Sequence, residues 1–298
     1  MDPKTHPLGV VYDMPFEDYL AVDALSSSGL RVLQRSAWHY RNRVQIEPTR
    51  PMLRGTLAHC AVLEPAAMAA RYVVVPEDAP RKPSKTQWAA KTPSDDSRAA
   101  MEWWTHFNAQ AEGREIVPAL DFAITQAQLR ALADEPHIAE LLRTGRSEVS
   151  VFWVDKATGV YCKARPDHVH QVNDHQARLL DLKSTADESP SGFGRSAARL
   201  KYHLQAAHYV EGFERAAGMK VLDFTFAAVT NTEPVLAVPY VLTDEIAEQG
   251  RDEWRELLER FAWCKANDQW PPYGTGPQLL DFPAYAKRST ELEVSYAD

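Results

Sequence analysis

YCKARPDHVHQVNDHQARLLDLK, residues 161–183, is the stretch that decides the fold class. Its side chains alternate in polarity, and this period of two predicts one strand over 160–169 and another over 178–183. The polar residues between them fit a hairpin connection, so we expect the two strands to pair antiparallel. Four side chains should then share one face of the first strand: Tyr161, Lys163, Arg165 and Asp167.

The second strand adds an acid and a lysine to the same patch. Asp181 and Lys183 stand two residues apart and share a face, while Leu182 between them should point into the sheet core. Antiparallel pairing would bring Asp167 close to Asp181. Neighbouring carboxylates repel unless a positive charge lies between them, and Mg²⁺ supplies that charge while keeping several waters. The alternative is a surface Asp–Lys ion pair worth about 0.5 kcal/mol, which spacing alone does not exclude.

Outside this hairpin, helical and extended patterns alternate along the chain. Helices are predicted from the Ser26–Ser28 caps to about 43, and over 51–64, 86–110, 119–133, 135–143, 199–217 and 243–267; strands over 148–155, 223–231 and 235–242; and loops over 76–100 and 184–195. We therefore expect one α/β domain over 1–298, with a central mixed β-sheet flanked by helices. A helical N-terminal elaboration would occupy about 24–145 and the sheet core about 146–270.

The composition argues against several classes of protein. The chain has 298 residues, 45% hydrophobic and 25% charged, with a net charge of −8, which argues against coating nucleic acid by bulk charge. A local basic groove is still allowed. No apolar run approaches the ~18 residues of a membrane span, and no signal-peptide pattern opens the sequence. Three scattered cysteines form neither a disulfide framework nor a CxxC metal pair, so a cytoplasmic location is predicted.

The stretch from Arg31 to Arg54 is basic, with six arginines, one glutamate, and Trp38 and Tyr40 among them. It is either a solvated helix face or a surface that follows phosphates with aromatic platforms. A serine-capped helix N-terminus beside arginines is a ready anion site. The candidates for holding a terminal 5′-phosphate are therefore Ser26, Ser28, Arg31 and Arg35.

Three more features could serve a metal site. His59 follows Gly55 by one helical turn, and the glycine would allow a close approach to another backbone so that the histidine reaches a metal. Gln205 and Tyr209 are likewise one turn apart on the helix predicted over 199–217, and Glu148 begins the first core strand. Each also has an ordinary alternative: a structural histidine, an amphipathic helix packed on the sheet, and a solvated edge residue.

In chain order these motifs read SSSGLRVLQRSAWHY, GTLAHCAVLEP, SEVSVFW, CKARPDHV, LLDLKST and YHLQAAHYVEGF. From about Ala24 to Tyr273 the chain thus resembles the RecB-like branch of the PD-(D/E)xK nucleases, and within it the RecE (exonuclease VIII) family of phage and prophage exonucleases. The resemblance implies a restriction-endonuclease-like core. Related nucleases that carry an iron–sulfur cluster use four cysteines, which this chain lacks, and it has no Walker loop of a helicase motor.

The resemblance also implies roles for single residues. His59, Asp167, Asp181 and the Leu182 carbonyl would hold catalytic Mg²⁺, two ions per site, with Mn²⁺ as a substitute. Glu148 would support the second ion or its water, and Lys183 would be the catalytic lysine. Gln205 and Tyr209 match a Q-x-x-x-Y motif that touches DNA or the groups behind the metal ligands, and Arg165 joins the DNA-binding candidates. The family's last acid is usually glutamate, where this chain has Asp181.

The expected activity is a Mg²⁺-dependent 5′→3′ exonuclease acting on double-stranded DNA ends, which leaves 5′-phosphate mononucleotides and 3′ single-strand overhangs. The resemblance suggests a ring-shaped homo-oligomer, with a tetramer favoured, and a single-strand annealing recombinase as partner; no membrane is expected. Three alternatives stay open: another PD-(D/E)xK endonuclease or single-strand nuclease, a catalytically inactive DNA-binding module, and an unrelated α/β enzyme with a chance D-x-K.

Overall fold

A computed structural model describes residues 6–44, 49–274 and 276–282. Residues 1–5 and 283–298 of the expected domain, and Glu47 of the basic stretch, lie outside the described residues. The helices are α1 (Phe16–Ala21), α2 (Ser27–Arg35), α3 (Ala37–Arg41), α4 (Arg50–Leu63), α5 (Met68–Arg71), α6 (Lys85–Trp88), α7 (Asp95–Ala111), α8 (Ala119–Asp134), α9 (Pro136–Arg143), α10 (Pro190–Leu200), α11 (Tyr202–Ala217) and α12 (Asp244–Asn267), with a 3₁₀ turn at Pro65–Ala67. The strands are β1 (Gly9–Val11), β2 (Tyr72–Val74), β3 (Glu115–Val117), β4 (Arg146–Ser147), β5 (Ser150–Val154), β6 (Tyr161–Ala164), β7 (His168–Asn173), β8 (Gln176–Thr185), β9 (Lys220–Thr230) and β10 (Ala237–Tyr240).

A five-stranded mixed sheet lies at the centre, in the order β10-β9-β8-β7-β4. The β8–β9 pair is parallel and the other pairs are antiparallel, including the predicted pairing of β7 with β8, in which His168 faces Leu180. A second, antiparallel sheet has the order β1-β5-β6, and β2 and β3 form a short parallel pair. The α/β class with a central mixed sheet flanked by helices is confirmed.

The two faces of β8 pack against different helices. Leu180 and Leu182 join a cluster with residues of α8 and α9, including Leu132 and Ile138. Leu179 belongs instead to the main core, which runs from α2 to α12. Because alternate residues face opposite sides, Asp181 and Lys183 lie on the α11 side of the sheet and Leu182 on the other, as the period of two predicts.

The strand predicted over 160–169 is interrupted, and this corrects the shared face assigned to its side chains. β6 ends at Ala164 and belongs to the three-stranded sheet, whereas β7 begins at His168 in the five-stranded sheet. Pro166 in the gap has no N–H for a ladder hydrogen bond, which favours the break. Lys163 consequently lies away from Asp167. Its Nζ donates to three carbonyls at the end of α1, those of Tyr19, Leu20 and Val22, at 2.8, 3.1 and 2.6 Å.

Three predicted helices were wrong in their bounds. The helix expected from Ser26–Ser28 to 43 is two helices, because Ser36 has an extended backbone and its Oγ caps α3 by accepting from His39 N. The helix expected over 86–110 is the short α6 followed by α7. The helix expected over 199–217 is interrupted at Lys201, which has a left-handed φ of 59°.

The loop expected over 184–195 contains the beginning of a helix. Ser189 Oγ accepts from Gly192 N at 3.1 Å, and Pro190 occupies the first turn of α10. Serine followed by proline is a helix start signal, but the neighbouring Gly192 and Gly194 outweigh it in a local reading of the sequence.

Two further sequence expectations concern cysteines and membranes. Cys60, Cys162 and Cys264 are free and buried. Among the described residues, no helix has both the length and the apolar character needed to cross a membrane.

Candidate active site

A buried acid, a lysine and a glutamine meet where β8 packs against α11. The Asp181 side chain is 1% exposed, and its Oδ1 accepts a hydrogen bond of 2.7 Å from Gln205 Nε2. Lys183 Nζ pairs with Asp181 Oδ2 and also donates to Gln205 Oε1 at 3.1 Å. Gln205 therefore holds both Asp181 and Lys183 in place. The pair is largely buried, so the alternative of an exposed Asp–Lys ion pair does not apply.

The lysine of this group keeps its positive charge. Burial lowers the pKa of Lys183, but the carboxylates of Asp181 and Asp167 outweigh that effect and raise the pKa above its ordinary value. The ring of Tyr202 lies 4.8 Å from Nζ and offers its negative face to the cation. The result is a fixed, half-buried positive charge beside two acids.

Asp167 lies in the break between β6 and β7, at the edge of this group. Its Oδ2 accepts a hydrogen bond of 2.7 Å from Leu182 N, which ties it to β8. Burial and the nearby Asp181 carboxylate raise the pKa of Asp167 to about 7, although His59 and Lys183 act in the opposite direction. A bound cation would reduce the repulsion between these two buried carboxylates and favour their charged forms.

His59 and Glu148 complete a group of potential metal ligands with Asp167. One ligand atom from each of the three side chains lies within 4.8 Å of the others. His59 Nδ1 is 3.6 Å from Asp167 Oδ2, and His59 Nε2 is 3.1 Å from the Leu182 carbonyl oxygen. Two carboxylates and an imidazole suit a divalent cation, so the residues present fit the metal that the sequence predicts.

Glu148 reaches this group through an uncommon backbone conformation. It links β4 to β5 with a left-handed φ of 54°, which costs free energy for a residue with a Cβ. Glu148 N donates to the Asp167 carbonyl at 2.8 Å, and its Oε2 accepts from Arg165 Nε at 2.7 Å. These contacts stabilise the left-handed backbone of Glu148 and direct its carboxylate toward Asp167 and His59.

Asp181 stands beside the three-residue group and does not belong to it. Its carboxylate is engaged by Lys183 and Gln205, while Asp167 is the member that contacts both groups, through Leu182 N and His59. The Leu182 carbonyl faces His59 Nε2. The structure therefore gathers every metal ligand predicted from the sequence, in two adjoining sets.

Tyr209 and Arg165 have internal partners. The Tyr209 hydroxyl is hydrogen-bonded to the Ser27 side chain, and burial holds its pKa far above the ordinary range. Arg165 is 9% exposed and, besides Glu148, donates to the Met14 carbonyl at 3.0 Å and to Ser150 Oγ at 2.6 Å. Tyr209 thus joins α11 to α2, and Arg165 supports Glu148; DNA contact by either remains a prediction.

The 5′-phosphate candidates surround α2. Ser26 Oγ caps the helix by accepting from Gly29 N at 3.3 Å, and it lies 3.0 Å from Ser28 Oγ. Arg31 Nη1 donates to the Leu200 carbonyl at 3.4 Å, and Arg35 Nε to the Tyr273 hydroxyl at 3.3 Å. Their role toward phosphate also remains a prediction.

Two details of the site escaped the sequence. Arg165, which follows β6, donates to Glu148 in the link between β4 and β5, 17 residues away, and Ser27 pairs with Tyr209 of a distant helix; no spacing pattern indicates either contact. Gly55 was expected to allow close approach to another backbone, and this was wrong. A Cβ at Gly55 would meet no atom within 4 Å.

The model of a family described as "PDDEXK-like domain of unknown function (DUF3799)" matches residues 26–279, which is well over half of the chain. No curated protein matches the chain.

Among solved structures, one of a "Putative exonuclease" from Eubacterium rectale is similar, with a TM-score of 0.52 and 13% identity over 92% of this chain and 96% of that one. At this identity the likeness shows the fold alone. A structure of a protein named SSO0001 has a TM-score of 0.28 and 11% identity over 82% of this chain and 88% of that one, too low to support an argument.

Proposed function

The chain belongs to the family described as a PDDEXK-like domain of unknown function, a branch of the PD-(D/E)xK nuclease superfamily, and on that premise we propose that it is a Mg²⁺-dependent 5′→3′ exonuclease of double-stranded DNA. The observation that carries the proposal is that the Asp181–Lys183–Gln205 group and the His59–Glu148–Asp167 group adjoin through Leu182, whose N–H donates to Asp167 and whose carbonyl faces His59. This arrangement combines a fixed lysine with a cation site of oxygen and imidazole ligands.

The residues divide the chemistry of hydrolysis. His59, Glu148, Asp167 and Asp181 would hold divalent cations, which supply Lewis-acid activation of water and of the phosphodiester when bound. Lys183 presents its charge to the phosphoryl oxygens, where negative charge develops in the transition state. Gln205 holds Lys183 and Asp181 in register, so that the charge is already placed when DNA arrives.

The finer parts of the proposal rest on the sequence resemblance. They are 5′-phosphate mononucleotide products, 3′ single-strand overhangs, and a role in phage or prophage recombination in the cytoplasm. A tetrameric ring and a single-strand annealing recombinase as partner belong to the same proposal. The E. rectale neighbour bears the description "Putative exonuclease", with which an end-dependent activity agrees.

A cleavage assay with end-labelled DNA tests the proposal. Linear duplex labelled at the 5′ end should release labelled mononucleotide early, whereas the 3′-labelled strand and a covalently closed circle of the same sequence should persist. Mn²⁺ should replace Mg²⁺, and Ca²⁺ should bind but support little cleavage.

Three outcomes would contradict the proposal in different parts. Full activity in EDTA removes the metal mechanism. Cutting of the closed circle makes the chain an endonuclease, and degradation of single strands alone makes it a single-strand nuclease.

A further inference from the structure

A row of exposed rings and arginines continues from the candidate site along α2 to α3 and the segment after α12. We propose that this surface binds single-stranded DNA, namely a strand separated from its partner at the duplex end. The inference rests on the proposed function, which it deepens by assigning a path to one strand. We call the surface the aromatic row and define it by Arg35, Trp38, His39 and Tyr273.

Helix α2 connects the row to the site. Its first residue, Ser27, is hydrogen-bonded to Tyr209 of α11. Arg31, one turn later, donates through Nη1 to the Leu200 carbonyl at 3.4 Å, two residues before Tyr202, whose ring lies 4.8 Å from Lys183 Nζ. Arg35 is one further turn away. Eight residues of helix span about 12 Å, so the row begins two helical turns from the site.

The rings of the row lie next to one another and are fixed by backbone contacts. The centroids of Trp38 and His39 are 5.3 Å apart, and those of His39 and Tyr273 are 5.8 Å apart. Trp38 N donates to the Pro271 carbonyl at 2.9 Å, and Arg35 Nε to the Tyr273 hydroxyl at 3.3 Å. Trp38 is nevertheless 48% exposed and Tyr273 58% exposed, so both rings have area available for stacking.

Arg35 and Arg41 differ from several arginines of the chain that are paired with buried acids. Arg54 is paired with the buried Asp121, and Arg215 and Arg255 with the buried Asp155. Within residues 6–44, 49–274 and 276–282, by contrast, no carboxylate ion pair forms with Arg35 or Arg41.

The cleft beside the row keeps a positive balance in a chain whose net charge is −8. Arg41, Arg43 and Lys265 line it against Asp23 and Asp268. Arg41 also lies over the ring of Trp270, 5.7 Å from its centroid. Unpaired guanidinium groups attract phosphates, and exposed rings between them offer faces to bases. Bases present their faces only when unpaired, so the combination favours a single strand over a duplex.

Binding assays in EDTA, where cleavage is absent under the proposed mechanism, test the surface. Fluorescence anisotropy would compare a labelled oligothymidylate with a labelled blunt hairpin duplex. Trp38→Ala and Tyr273→Ala should each weaken single-strand affinity about fivefold or more, the reduction that one stacked base corresponds to. Trp38→Phe and Tyr273→Phe, which keep a ring, should stay near the wild type. Trp88→Ala is the matched control, because Trp88 is 44% exposed on α6 and lies outside the row.

Salt dependence supplies a second readout. Replacing Arg35 or Arg41 by glutamine should lower the slope of log affinity against log salt by about 0.7 for each phosphate that the variant no longer neutralises. Single-strand affinities of the ring variants equal to those of the wild type and of Trp88→Ala would overturn the inference. An equal reduction on the blunt hairpin would also overturn it, because the rings would then not select unpaired bases.

The two proposals fail separately. A chain that degrades duplex ends in Mg²⁺ but whose ring variants bind oligothymidylate normally loses only the aromatic row. A chain that binds oligothymidylate through the rings but leaves every DNA intact in Mg²⁺ loses only the nuclease.

Discussion

At the scale of single residues, the proposed chemistry depends most directly on the positively charged ammonium group of Lys183. It is fixed by Asp181 and by Gln205 Oε1, and its removal takes away no ligand of the proposed cation. Lys183→Ala should therefore lower the single-turnover cleavage rate by about 10²–10³, the reduction expected for a preorganised charge. Metal affinity by calorimetry should stay near that of the wild type.

Duplex affinity of Lys183→Ala should also change little, because other basic groups contact phosphate. Lys220→Ala is the control, since Lys220, at the start of β9, is exposed and pairs with Glu214 of α11. Cleavage by Lys183→Ala at the wild-type rate would return Asp181–Lys183 to an ordinary ion pair.

Asp181 should behave differently, because its removal takes away a proposed ligand and also leaves Lys183 buried with less compensating charge. Asp181→Ala should weaken Mg²⁺ binding and cleavage together. Asp181→Asn keeps the shape and the contact with Gln205 but not the charge, and it should show the same joint reduction. A variant that binds Mg²⁺ like the wild type and yet fails to cleave would assign Asp181 to holding Lys183 alone.

At the scale of elements, two helical glycines should respond oppositely to alanine. A Cβ at Gly55 in α4 would meet no atom within 4 Å, whereas one at Gly250 in α12 would lie 2.5 Å from the His203 carbonyl oxygen of α11. Gly55→Ala should raise the free energy of unfolding by about 0.5–1 kcal/mol, because alanine is the better helix former. Gly250→Ala should lower it by about 1–3 kcal/mol, because the two helices must move apart.

Urea denaturation followed by circular dichroism measures both changes in one series. A stabilising effect of Gly250→Ala would show that α11 and α12 are not packed as closely as described. A destabilising effect of Gly55→Ala would mean that the open side of α4 is occupied.

The strands β6, β7 and β8 show where the alternation of side chains predicts structure correctly and where it does not. The period of two correctly placed Asp181 and Lys183 on the α11 side of β8, because alternation along one strand is a property of the backbone. The same rule failed for Lys163 and Asp167, since the chain changes sheets at Pro166. Which sheet a strand joins depends on its partners, here β5 for β6 and β8 for β7, and these partners are not written in the strand itself.

At the scale of the whole molecule, His208 and Asp155 should each lower the stability when the medium is acidified, whereas Asp167, whose pKa is raised by burial, acts in the opposite direction. His208 Nδ1 accepts from Trp254 Nε1 and its Nε2 donates to the Lys163 carbonyl, each at 3.0 Å, so the buried ring is neutral. Burial lowers the pKa of His208 to about 4, although the hydrogen bond to the Lys163 carbonyl opposes the shift. Between pH 6.5 and 4, His208 is therefore protonated in the unfolded chain but not in the folded chain. This difference lowers the free energy of unfolding by about 3 kcal/mol across that window.

The contribution of Asp155 to the free energy of unfolding is lost at lower pH than that of His208. Burial alone would raise the pKa of Asp155, but hydrogen bonds from Thr158, Arg255 and Arg215 outweigh burial and lower the pKa to about 2. Its contribution is complete above about pH 4 and disappears as the pH falls through 2. Urea midpoints of the wild type and of His208→Gln between pH 7.5 and 2 measure both effects, and the difference in stability between the two proteins isolates the contribution of His208. A difference that stays constant from pH 7 to 4.5 would contradict the assignment to His208.

The sequence by itself determined the α/β class, the D-x-K pair on one face of β8, and the helix that carries Gln205, because periodicity and caps act between near neighbours. Only the tertiary structure decided that His59 meets the Leu182 carbonyl 123 residues away, and that Asp167 belongs with His59 and Glu148 while Asp181 belongs with Lys183 and Gln205. It also decided the breaks at Ser36, Pro166 and Lys201. Contacts between distant segments form where whole faces pack together, and a local pattern specifies the face but not its partner.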